Sequence, residues 1–120
     1  MRTEQLRELV VNALEEIKGI ELTVLDVHEV TSITDAMVIV SGSSNRHVQA
    51  LADNVINRAK ASSITPLGIE GQATGDWVLV DLGDVIVHVM RPEIRSFYNL
   101  EKLWDIGAAP YAQAVGESGR

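Results

Sequence analysis

Between Gly75 and Met90 the sequence reads GDWVLVDLGDVIVHVM, two apolar runs flanking Asp81-Leu82-Gly83-Asp84. This is the pattern of a β-hairpin. The density of Val78, Val80, Val85, Ile86, Val87 and Val89 suits a pleated, buried surface, and Gly83 supplies the backbone freedom a tight turn needs. With Leu82-Gly83 as a two-residue loop, Asp81 faces Asp84, Val80 faces Val85, Leu79 faces Ile86, Val78 faces Val87 and Trp77 faces His88.

The two faces of that hairpin differ in kind. Val78, Val80, Val85, Val87 and Val89 form one face, predicted to be the core. The other carries Trp77, Leu79, Ile86 and Met90 beside Asp81, Asp84 and His88, a mixture suited to a surface that reaches water or a partner. A slip of one residue would exchange the faces, so the assignment depends on the turn.

A chain of 120 residues suits one domain with one ordinary core. It has no cysteine, which removes disulfides, thiolate zinc ligands and thiol nucleophiles. The opening MRTEQLRELVV lacks the apolar centre of a secretory signal, and no run approaches the ~20 apolar residues of a membrane span, so a soluble cytoplasmic protein is expected. The formal net charge of −7 disfavours a phosphate backbone as the main contact and favours a basic protein partner.

Leu6, Leu9, Val10, Ala13, Leu14 and Ile17 recur at helical spacing, with Thr3 as the expected cap and Gly19 as the stop. Leu22 to Val30 and Asp35 to Ser41 read as strands joined by the turn VTSIT. Gly42-Ser43-Ser44 then leads into a helix with the stripe Val48, Leu51, Ala52, Val55, Ile56 and Ala59, and a serine is its expected cap. Pro66 to Glu70 gives a short strand before the hairpin. Pro92 opens a last helix, whose buried stripe is expected to be Phe97, Leu100, Leu103 and Trp104, with Arg95, Tyr98 and Lys102 on another side. The order is α-β-β-α-β-β-β-α, an α+β domain of mixed layers with helices on one face of the sheet. Residues 1–106 are expected to form this domain, and 107–120 a mobile or loosely attached tail.

Catalytic signatures are weak. The Gly42-Ser43-Ser44 loop at a helix start could cradle an anion, which raises a nucleotide-binding or nucleotidyltransferase-like domain as a rival reading. No Asp-x-Asp follows that loop at the spacing needed to hold metal and phosphates. His28, His47 and His88 show no metal-binding spacing, and Asp84 beside a glycine is better explained by turn chemistry than by acid/base work. No metal and no cofactor are expected. Trp77 stands out as a large aromatic on the mixed face, a core plug or an interface anchor.

The segments SITD at Ser32 to Asp35, NRHV at Asn45 to Val48, GIEG at Gly68 to Gly71, DWVLVDLGDVIVHVM, and the following PEIRSFYNLEKLW resemble the ribosomal silencing factors, or Iojap-like proteins. The resemblance covers roughly residues 4 to 104. It implies a five-stranded nucleotidyltransferase-like sheet and a non-enzymatic translation repressor. Such a protein binds the large ribosomal subunit through a basic ribosomal protein, the fourteenth in the usual numbering, and sterically blocks the small subunit. Help with late subunit assembly and homodimer formation are also implied. It tips Trp77 towards an anchor, within an expected partner-binding set of Trp77, Leu79, Asp81, His88, Met90, Arg95, Tyr98 and Lys102.

Overall fold

The computed structural model describes residues 1–102. The elements follow the expected order: α1 (Thr3–Glu16), β1 (Ile20–Asp26), β2 (Ala36–Ser41), α2 (Asn45–Ala61), β3 (Gly68–Glu70), β4 (Trp77–Asp81), β5 (Val85–Met90) and α3 (Pro92–Tyr98). The strands make one mixed sheet of order β1-β2-β5-β4-β3, parallel only between β2 and β5. That central pair is buried along its whole length, which is why AMVIVS and VIVHVM are nearly continuous apolar runs.

The turn is not the one the spacing suggested. Leu82 N–H donates to Val85 O, so Gly83 and Asp84 form the two-residue loop, with Gly83 at φ +88°. A positive φ at the first loop position is what a hairpin of this twist asks of a glycine. Asp81 accepts the Gly83 N–H at 2.8 Å on its carboxylate, and Asp84 O accepts the Asp35 and Ala36 amides. Trp77 therefore faces Met90, Leu79 faces His88, and Val80 faces Val87. The shift is by two residues, so each side chain keeps its face.

The valine face is the core. Val78, Val80, Val85, Val87 and Val89 are fully buried under Leu6, Val10, Leu14, Val48, Leu51 and Val55 of α1 and α2. Ser44 caps α2 by accepting His47 N–H at 3.0 Å. His47 then accepts Ser43 N–H on Nδ1 at 2.8 Å, which leaves its Nε2–H to donate to Ile17 O at 2.7 Å and tie the end of α1 to the start of α2. Ser44→Ala should cost about 1 kcal/mol of stability, measured by urea unfolding, by freeing that first-turn amide.

Other boundaries differ for local reasons. Thr3 is the first helical residue rather than the cap, and its hydroxyl donates to Asp35. Lys18, at φ 62°, takes a left-handed conformation one residue before Gly19, the expected stop. β1 ends at Asp26 because Val30 and Thr31 turn back to donate to Val27 O, which removes His28 and Val30 from the strand. β3 begins at Gly68 rather than Pro66.

α1 and α2 cover the valine face as expected, but α3 lies against the opposite one, where Ile94 and Leu100 pack with Met37, Ile39 and Met90. Its predicted stripe is corrected. Asn99 adopts a left-handed conformation (φ 50°) that ends α3 at Tyr98 and breaks the phase of the pattern, so Phe97 is 79% exposed while Arg95 is buried. Leu103 and Trp104, assigned to that stripe, and the tail at 107–120 lie outside the described residues.

Candidate functional site

The register sets three rows across the second face of the sheet. They run Ser41, Met90, Trp77; then Thr23, Ile39, His88, Leu79, Glu70; then Leu25, Met37, Ile86, Asp81, Gly68. α3 crosses the β1–β2–β5 half of these rows and stops. Among the described residues no helix covers the β4–β3 half, and there Trp77, Leu79 and Asp81 are half-buried and Glu70 is exposed.

An aromatic group occupies the boundary. Trp77 lies 5.1 Å from Tyr98 between ring centroids, tilted by 46°, and Phe97 meets Tyr98 edge-on at 5.0 Å. Tyr98 is 53% exposed. These rings bring β4 and the end of α3 together into one apolar patch, and Glu70 and Asp81 stand in the following rows of the same face. Aromatic rings held in place and half open to solvent are typical of binding anchors.

Of the eight residues expected to meet a partner, the structure places Trp77, Leu79, Asp81, Tyr98 and Lys102 at least partly at the surface. The other three are buried rather than at the surface. Met90 is fully buried beneath α3, because the true register sets it opposite Trp77 and under Ile94. Arg95 is buried, with Nε and Nη2 donating to Glu101, Nη1 to Ser41 Oγ and Nη2 to Thr23 Oγ1. His88, 6% exposed, accepts the Trp77 indole N–H on Nδ1 at 3.0 Å. Phe97 was missed as a surface residue, and Asn99, a residue that readily ends helices in the left-handed conformation, was the available signal.

Burial pushes the His88 imidazole down from 6.5 to about 4. An unfolded chain takes up that proton near pH 6.5 and the folded one only near pH 4, so stability should fall as pH drops through this window. The loss should approach about 3 kcal/mol for this group alone. His28 works in the opposite sense, because its hydrogen bond to the Asp26 carboxylate raises its pKa. The difference between wild type and His88→Asn in urea unfolding at pH 7 and pH 4.5 isolates the His88 part, and equal slopes would contradict it.

Part of the Gly42-Ser43-Ser44 loop is committed to internal hydrogen bonds. Gly42 N–H donates to Met90 O, Ser43 N–H to His47, and the Ser44 hydroxyl is taken by His47 N–H. The motif NRHV has a structural use as well. Asn45 donates to Thr74 O and Asp76 Oδ1 and accepts from Arg91, stitching α2 to the loop before β4 and to the start of α3. No group of metal-ligating side chains is found among the described residues. Nor is any helix there long and apolar enough to cross a membrane.

These features define a small α+β domain built on a five-stranded mixed sheet. The sequence matches the family described as ribosomal silencing factor during starvation over residues 1–118. It is 43% identical to a ribosomal silencing factor of Chromobacterium violaceum over 97% of this chain and 93% of that protein. A crystal structure from the same organism superposes with a TM-score of 0.86 at 42% identity, covering 97% of this chain and 95% of that one. A mouse protein named for mitochondrial assembly of the ribosomal large subunit is 34% identical over 82% of this chain, which spans 45% of the mouse protein. The chain belongs to the ribosomal silencing factor family. That family is regulatory, in keeping with the expectation of a non-enzymatic protein.

Proposed function

We propose that this protein silences translation in the cytoplasm by seating the Trp77 end of its sheet on a basic protein of the large ribosomal subunit. Bound there, it occupies the surface the small subunit needs. The observation that carries the reading is the half of the second sheet face that no helix among the described residues covers, where Trp77, Tyr98 and Phe97 make an apolar centre on the face that also carries Leu79, Asp81 and Glu70. An aromatic anchor with acidic neighbours, on a chain of net charge −7, suits a basic protein surface better than RNA. His88 and Met90 are buried next to Trp77 across the β4–β5 pair, and Arg95 anchors the helix that carries Tyr98.

Family membership supports the silencing role, and the name of the mouse relative supports an added part in large-subunit assembly. Two copies can pair through the β1 edge, where Ile20 and Val24 are exposed, and leave the Trp77 end at the far side of the sheet free. The mechanism is tested by light scattering during subunit joining. Large subunits preincubated with this protein should join small subunits in falling yield as it approaches saturation. Full joining at saturating protein would refute steric exclusion.

A further inference from the structure

We propose that His88 is the positioning residue of this docking face: by taking the Trp77 indole N–H, it fixes the part of the ring that a partner meets. The proposal deepens the reading above and rests on it for the binding readout. His88 and Trp77 sit diagonally across the β4–β5 pair, since Leu79 faces His88 and Met90 faces Trp77. At that offset only a large side chain can reach its neighbour, and the indole does so with Nε1 3.0 Å from Nδ1 and the rings 5.9 Å apart at 50°.

Accepting on Nδ1 requires a neutral imidazole protonated on Nε2. His88 is itself held in place, flanked in its row by Ile39 and Leu79 and buried to 6% exposure. Trp77 is held on its other side by Tyr98. That shelf is anchored in turn, because Arg95, one turn before Tyr98, ties α3 to Thr23 and Ser41 on β1 and β2. Histidine beneath and tyrosine beside leave the indole one orientation.

A consequence for the partner follows. An indole has a single hydrogen-bond donor, and here it is spent inside the protein. The partner meets ring carbon and the π face alone. The chemistry that fits is an aliphatic chain or a lysine or arginine cation over the ring, rather than a carbonyl or carboxylate acceptor. A basic protein offers both.

The test uses two substitutions with two readouts. His88→Leu removes the acceptor at similar bulk, and His88→Asn keeps an oxygen close to the Nδ1 position. In proton–nitrogen spectra the Trp77 indole signal, identified by its loss in Trp77→Phe, should move towards its solvent-exposed position in His88→Leu and stay near its native place in His88→Asn. Affinity for purified large subunits should fall about tenfold in His88→Leu, the equivalent of one lost orienting hydrogen bond, and recover to within about threefold in His88→Asn. An unmoved indole signal in His88→Leu, wild-type affinity in that variant, or an His88→Asn protein that binds as poorly while keeping the signal would overturn the proposal. If the wild type itself fails to bind large subunits, the proposed function falls, and the indole signal still decides whether His88 positions Trp77. Should His88→Leu not fold, Trp77→Phe takes its place: it keeps a ring without a donor, and native affinity there would equally overturn the proposal.

Discussion

Gly71→Ala should destabilise the protein more than any surface change, by about 3 kcal/mol or more, combining left-handed strain with a backbone collision. Gly71 sits at φ +84°, and a Cβ there would fall 2.0 Å from the carbonyl oxygen of Trp77. No rotamer relieves that contact, because the backbone itself fixes where the Cβ lies and the atom it meets is a backbone oxygen. Either the loop from Gly71 to Gly75 lifts away from β4, or β4 shifts and carries Trp77 with it. The loop is held from the other side by Gln49, which donates to Gln72 O and Ala73 O, so neither adjustment is cheap. A melting temperature lower by on the order of 12 °C or more is expected for a domain of this size. A melt within a degree or two of wild type would show that the loop is not packed on β4 in solution.

Trp77→Ala should produce the largest loss of binding, about thirtyfold or more against purified large subunits, as for a central aromatic anchor. It should also cost about 2 kcal/mol in folding, since the ring packs against the cluster of Met37, Ile39 and Met90 and donates to His88. Both effects must be measured on one preparation. Tyr98→Ala, at a side chain already 53% exposed, should leave the melt nearly unchanged and weaken binding less. Native affinity in a folded Trp77→Ala protein would move the docking site off this face.

Much of the fold was legible because its signals are local. Alternating and continuous valines marked the core side of the hairpin, helical stripes marked α1 and α2, and serine marked the cap. The loop shift from Leu82-Gly83 to Gly83-Asp84 was not legible, because both place a glycine in the turn and both keep the valines on one face. What separates them is the bond from Gly83 N–H to the Asp81 carboxylate and the use of Asp84 O by the next strand, which no pattern displays. α3 was misread for a different reason. A helical period was carried through Asn99, whose left-handed turn resets it, so Phe97 and Arg95 exchanged places between inside and outside. Of the candidate site, the sequence marked Trp77, Leu79 and Tyr98, and the structure leaves all three at least partly at the surface. The burial of Met90 and Arg95 depends on α3 crossing the second face, a tertiary arrangement without a sequence signature.

Sedimentation tests the proposed contact of the Trp77 face with the large subunit most directly. Protein mixed with purified subunits and spun through a sucrose gradient should travel with the large subunit alone, and the Trp77→Ala protein, folded by its melt, should remain at the top. Equal recovery with the small subunit or with bare ribosomal RNA, or undiminished recovery of Trp77→Ala with the large subunit, would contradict it.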